Sequence, residues 1–298
     1  MNAAPLTNEQ RFKLVQRYID KMPSLSTTVT KVLEICNKPN TSPNDLNRVI
    51  SLDPVLTGQV LKLINSAYYS LPNQITSLTR AIIMLGLNTV KNLALSTAIL
   101  GTVGREESFQ CLSMDLFWAH SICVGVTAKA LAARKGVAVL LREEYFVAGL
   151  LHDLGKIPLN KAFSKEYQQA LDLAKLEQGS LYRAENMMMG VDHAMVGKMI
   201  AEKWQLNDTL IDLLGCHHEP KAGLKKNQDL KAIVALANMY ANLYDIGYAG
   251  DRFPNISEMM EVLDIVGMKW SDIAALEETV REEIDKAQVF LKVAQEGK

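Results

Sequence analysis

Histidine is absent from the first 119 of the 298 residues, and cysteine, net charge and long apolar runs are scarce throughout. Only four cysteines occur, Cys36, Cys111, Cys123 and Cys216. Their scattered spacing excludes a disulfide framework and predicts a reducing, cytoplasmic setting. Lys and Arg number 32 against 33 Asp and Glu, a formal charge of −1 that argues against a general nucleic-acid binder. No apolar run of about 18 residues stands out, so no membrane span is expected. The opening MNAAPLTNEQRFK lacks the charged start and apolar stretch of a secretory signal. What is present is a 48% hydrophobic share, which excludes a mainly disordered chain and suffices for a sizeable core.

Clean strand alternation is also missing, and nearly every long segment has helical period, which predicts an all-α fold. Thr7 and Gln10 stand in capping-box spacing ahead of a helix over 7–22 that Pro23 stops. A second helix is expected over 25–37, with Val29, Val32, Leu33 and Cys36 on one face. A short one follows from Pro43 to about Leu52, and Asp53-Pro54 caps and opens the next, to Tyr68. Residues 77–100 read as two helices broken at Gly86, set for the left-handed position. That outline invites a DNA-binding reading, but its second half carries Lys91 as its only base, so core packing explains it better.

The glycines and charges of 101–110 mark the best boundary, giving a helical lobe over 1–105 and a second helical unit over 106–298. Helices are expected there at 114–134, 138–153, 164–178, 181–189, 192–204, 208–218, 229–247, 257–266 and 271–295. Asn207, Ser257 and Ser271 are the expected caps, and Gly155 and Gly267 the expected stops. Met187 to Met189 read as gap-filling core.

All five histidines, His120, His152, His193, His217 and His218, fall within one hundred-residue stretch, each near a predicted helix end. Helix ends gathered around a cavity let a bundle aim several side chains at one point. Imidazole is the commonest metal ligand, and Asp153 beside His152 adds charge. Neighbouring helical residues point about 100° apart, so His152-Asp153 and His217-His218 can each grip an ion from two sides. Any one histidine could instead be a hydrogen-bonded core residue, but all five with Asp153 favour metal.

AGLLHDLGKIPL (148–159) resembles the central motif of the HD superfamily of metal-dependent phosphohydrolases. LFWAHSICVGVTAKALA (116–132) is similar to the preceding helix, and GVDHAMVGKMIAEKWQLNDTLIDLLGCHHEP (190–220) to the two that follow. MPSLSTTVTKVLEI (22–35), SLDPVLTGQVLKLINSAYYSL (51–71) and ITSLTRAIIMLGLNTVKNLAL (75–95) resemble the N-terminal lobe of the HDOD family, the HD-related output domain of bacterial signalling. The resemblance spans about residues 18–220. It implies an HD-type bundle with an HDOD lobe.

The resemblance also implies roles. His120, His152 and Asp153 would serve a first metal, completed by an aspartate from a later helix; Asp153 would bridge to a second held by His193, His217 and His218. Asp153 and Lys156 would be the catalytic groups, Lys156 meeting a substrate phosphate or, on the plainer reading, lying solvated at a helix end. Asn238 stands where the family's aspartate is expected, a neutral and weaker ligand. Asp245, seven residues on, lies about 10 Å further along that helix. The sequence after HHE lacks the glycine–tyrosine–proline signature of the cyclic-di-GMP phosphodiesterase branch.

Three functions compete: a signalling protein with a retained metal site and weak or no hydrolysis, a working nucleotide or cyclic-nucleotide phosphohydrolase, and a bundle that uses metal only for stability. The first is the reading adopted. One or two divalent ions are expected, iron, manganese, nickel or zinc. The expected partners are a signalling protein and a phosphate-containing small ligand, with neither nucleic acid nor membrane.

Overall fold

The computed structural model describes residues 7–38, 40–103 and 110–296, with helices throughout and no strand among the described residues. The first six helices are α1 (Asn8–Lys21), α2 (Thr27–Cys36), α3 (Pro43–Ile50), α4 (Pro54–Ile64), α5 (Leu78–Leu85) and α6 (Leu87–Val103). Local chemistry sets their ends as expected. Thr7 and Gln10 form a complete capping box, and the Asp53 side chain accepts from Leu56 N with Pro54 at the first helical position.

Gly86 turns α5 into α6 through 118°. It does so at φ 86° and ψ 155°, an extended positive-φ conformation rather than the left-handed helical one expected, and essentially only glycine adopts it. Beyond the bend, α6 is a core helix, with eleven of its 17 residues buried. α6 continues through Val103, and residues 104–109 of the expected boundary lie outside the described residues.

The second group is α7 (Met114–Arg134), α8 (Arg142–Leu151), α9 (Lys156–Ala162), α10 (Ser164–Leu176), α11 (Leu181–Met189), α12 (His193–Lys203), α13 (Asp208–Cys216) and α14 (Gln228–Leu243). The last is α15 (Ile256–Val266), α16 (Trp270–Ala274), α17 (Glu277–Ala287) and α18 (Val289–Glu296). Three expectations are corrected here. The single helix predicted over 271–295 is three helices, α16 to α18. Their caps differ too: Asn255 rather than Ser257 caps α15, and Lys269 rather than Ser271 precedes α16. Of the three methionines, only Met189 is fully buried, and Met187 is 67% exposed.

α7 has an apolar length that the sequence reading passed over. It is 21 residues long and apolar enough, by length and composition, to cross a membrane, yet 72% of its apolar window is buried inside the protein. It lies against α8, α14 and α17, as the central helix of the second group. One continuous apolar core runs from Val15 to Ala294. α1 reaches across to α9 and α12, and α18 returns to pack on α4 and α6. Lys203 of α12 donates to the carbonyls of Asp20 and Met22, both at 2.8 Å, satisfying acceptors that the end of α1 leaves open.

Candidate metal centre

Helix ends deliver the histidines to one place. His120 lies in the second turn of α7, and His152 caps α8 with Asp153 next in line. His193 opens α12 behind the N-cap Asp192, and His217 caps α13, followed by His218. Gly155 was expected to stop a helix; instead it sits in right-handed helical conformation at the start of α9, a helix the sequence did not announce. A Cβ there would lie 2.0 Å from the His193 carbonyl oxygen, so only glycine lets the His152-Asp153 corner approach α12 this closely.

Asp153 is the hub. Its Oδ1 lies 3.3 Å from His193 Nε2 and 3.8 Å from His217 Nε2. Its Oδ2 lies 3.2 Å from His152 Nε2, 3.9 Å from His120 Nε2 and 2.8 Å from Lys156 Nζ. Two groups capable of holding a metal result. Asp153, His193, His217 and His218 form one, and His120, His152 and Asp153 the other, with the ligand atoms of each group within 4.8 Å of one another.

Bonds behind the rings aim them. His152 Nδ1 faces the Gly149 carbonyl at 2.7 Å, and His217 Nδ1 faces that of Leu214 at 3.2 Å. With Nδ1 as the donor, Nε2 keeps its lone pair toward Asp153, as ligating histidines do. His193 is held more firmly, since Glu185 Oε2 accepts from both its backbone N–H, at 2.8 Å, and its Nδ1, at 2.6 Å. Tyr182 stacks on His218 with ring centroids 4.6 Å apart.

The electrostatics favour a cation. Both ring nitrogens of His120, Nε2 of His152 and of His217, and both carboxylate oxygens of Asp153 are buried without a hydrogen bond. Such orphaned atoms are costly unless something satisfies them. His193 Nε2 and His218 Nε2 face each other at 2.8 Å, a contact that requires a proton or an ion on at least one of them. Burial pushes His120 down to about 3. Burial, then the neighbouring imidazoles, holds His217 and His218 well below the usual histidine range. These rings are therefore neutral, the form that binds metal. For His193 burial works against the charge, but the Glu185 carboxylate outweighs it and raises the pKa. Burial also opposes the Asp153 charge, yet His152 and Lys156 hold that carboxyl well below its ordinary value. The donor set thus fits a divalent transition metal.

Lys156 needs correction on the plainer of its two expected readings. It is 1% exposed, neither solvated nor facing open space, and its ammonium reaches Asp153, the Ala249 carbonyl at 2.9 Å and Asp251 Oδ2 at 3.2 Å. Asn238 is buried on α14, its Oδ1 accepting from Asn242 Nδ2 at 3.3 Å. Asp245 lies past the end of α14, where its exposed carboxylate pairs with Arg252 at 3.5 Å. Asn238 and Asn242 line a cleft of about 760 Å³ with Tyr182, His217, His218 and Phe253. Sequence reasoning missed Glu185 and Asp251. Glu185 was findable, because it shares the buried face of α11 with Leu181, Ala184 and Met189, and an acid on an apolar face signals a buried partner. Asp251 lies between α14 and α15, where no periodicity marks it.

A family model described as HDOD domain matches residues 22–220. An uncharacterized protein of Treponema pallidum (strain Nichols) is 25% identical over 227 residues, 76% of this chain and 43% of its own length. Ribonuclease Y of Mycoplasma mycoides is 30% identical over 156 residues, 51% of this chain and 29% of that protein. The chain therefore spans less than half the length of these curated relatives. Among solved structures, an HDOD domain protein of unknown function from Geobacter sulfurreducens is 26% identical at a TM-score of 0.75, covering 95% of this chain and 99% of that one. A candidate phosphohydrolase from Shewanella amazonensis SB2B, 22% identical with a TM-score of 0.69 over 94% of this chain and 98% of its own, shares the fold.

Proposed function

The chain belongs to the HDOD family, and from that premise we propose a bacterial signalling protein whose bundle holds a divalent transition metal and hydrolyses phosphate esters weakly or not at all. The carrying observation is the asymmetry across Asp153. One group gathers three imidazoles around Oδ1, whereas the other has two imidazoles around Oδ2, which lies 2.8 Å from an ammonium charge. Two-metal phosphoryl transfer needs both ions to clamp the attacking and leaving oxygens. A single ion supplies Lewis-acid charge and fastens α8, α12 and α13 together, which suits a sensor whose fold responds to occupancy. Mixed imidazole and carboxylate ligands suit iron, manganese, nickel or zinc.

The cleft beside His218 is our candidate place for a phosphate-containing small ligand: the Asn238 and Asn242 amides line it, with Arg183 and Lys221, which pair with Glu258 and Glu261 of the same lining. The near-neutral charge favours such a ligand, and a protein partner, over nucleic acid or an anionic membrane surface. One observation favours a working phosphohydrolase instead: both ligand groups share one carboxylate, the arrangement that bridges two ions. The test is metal content of the purified protein and its His218→Ala variant, measured beside hydrolysis of an aryl phosphodiester and of RNA. Metal in the wild type, less of it in the variant and negligible turnover is the expected result. Equal metal in both sinks the site, and robust metal-dependent turnover makes the protein an enzyme.

A further inference from the structure

The Lys156 ammonium donates to the Ala249 carbonyl at 2.9 Å and to Asp251 Oδ2 at 3.2 Å, and its charge lies 2.8 Å from Asp153 Oδ2 as an ion pair. The side chain is 1% exposed. Asp251 is fixed in turn, since its Oδ1 accepts from Leu181 N at 2.7 Å at the start of α11. The ammonium therefore ties the α8–α9 corner, the segment between α14 and α15, and α11 together. We propose that Lys156 takes the place of a second metal, neutralising the Oδ2 side of Asp153 so that the protein binds one ion per chain, on the Oδ1 side with His193, His217 and His218.

The inference rests on the metal-site reading above and adds its nuclearity and the residue that sets it. Two carboxylates, Asp153 and Asp251, converge on one point, and His120 and His152 lie against the same oxygen of Asp153. His120, His152 and Asp153 form the second metal-capable group, and the Lys156 ammonium, paired also with Asp251, lies against its one carboxylate. A divalent ion beside the ammonium would meet like-charge repulsion in a dry pocket, where it is screened little. An ion replacing the ammonium would match the two carboxylates charge for charge.

The experiment counts ions in the full chain. Wild type, Lys156→Met and Lys156→Gln are equilibrated with excess Mn(II), dialysed and assayed by mass spectrometry, with helix content checked by circular dichroism. Crystals of the wild type are then examined by anomalous scattering. Wild type should hold one ion, on the Oδ1 side, and each folded variant two, a twofold rise, with the second beside His120 and His152. Lys156→Arg should stay at one. Two ions in the wild type, or one in folded Lys156→Met and Lys156→Gln, overturn the proposal and leave the metal reading standing. No ion in the wild type removes that reading itself. Should neither neutral variant fold, the wild-type map decides: one ion on the Oδ1 side upholds the proposal, and an ion at His120 and His152 overturns it.

Discussion

His193, His217 and His218 on one side of Asp153, and His120 and His152 on the other, are the same residue type with unequal support. On the first side Glu185 grips one ring, the Leu214 carbonyl aims the second, and Tyr182 stacks on the third. On the other the Gly149 carbonyl aims His152, but both nitrogens of His120 lack a hydrogen bond and Lys156 occupies the shared oxygen. Counting histidines treats the sides as near equals. Orientation and charge separate them, because a ligand set binds only when its rings are aimed and its carboxylate is free.

The change that breaks both sides at once is Asp153→Asn. It removes the one charge they share and leaves Lys156 with Asp251 as its sole carboxylate. No ion should survive dialysis, measured as metal per chain. Retention of a full equivalent would mean that three imidazoles suffice.

Next in size is the fastening of the better-supported side. Asp212 of α13 accepts from Leu224 N at 2.9 Å and Asn227 Nδ2 at 3.0 Å, and lies 3.1 Å from the Lys231 ammonium. It thus closes the segment that begins with His217 and His218. Asp212→Asn leaves the fully buried Lys231 without a counter-charge, which should cost about 3–5 kcal/mol in urea unfolding. Burial opposes the Asp212 charge, but its partners hold the carboxyl below the usual range. The unfolded state therefore takes up the proton first. The stabilisation is full above the ordinary carboxylate pKa of about 4 and drains away as pH falls through the depressed value. Asp212→Asn should lose that acid-dependent component; a change under about 1 kcal/mol would show the pair to be dispensable.

The same contrast explains what could be read in the sequence. The all-α fold, the capping box at Thr7, the Asp53-Pro54 opening and the gathering of five histidines on Asp153 follow from local period and motif. α9 did not, because Gly155 reads as a stop when the chain is viewed alone and as a close-approach glycine only once α12 is beside it. The solvated reading of Lys156 failed for a similar reason. Its two remaining acceptors come from Ala249 and Asp251, more than ninety residues away, and nothing local reports them. The apolar length of α7 also went unread; it serves burial inside the bundle.

Glu185→Gln sharpens the comparison at intermediate size. The amide can still accept from His193, but it removes the charge that polarises the ring. Metal affinity should fall about 10–100-fold, the usual cost of losing a carboxylate behind a ligating histidine. His120→Ala, on the other side, should leave the affinity of the wild type unchanged by calorimetric titration. Comparable losses in both variants would erase the distinction between the sides.

The smallest effect is expected from Asn238→Asp, and it tests what limits the weaker side. Asn238 is buried on α14, lines the cleft with His217 and His218, and spends its oxygen on Asn242. A carboxylate there would add charge near the cluster, and charge shortage alone would then admit a second ion. If the Lys156 ammonium is the obstacle, Asn238→Asp by itself leaves the count at one ion per chain. The same change in a Lys156→Met background should tighten the second ion relative to Lys156→Met alone. That dependence of one substitution on the other is the signature of two groups acting at one site, and a double-mutant cycle of metal titrations measures it. A second ion gained by Asn238→Asp with Lys156 intact would mean that a missing carboxylate, and not a resident cation, keeps the two sides unequal.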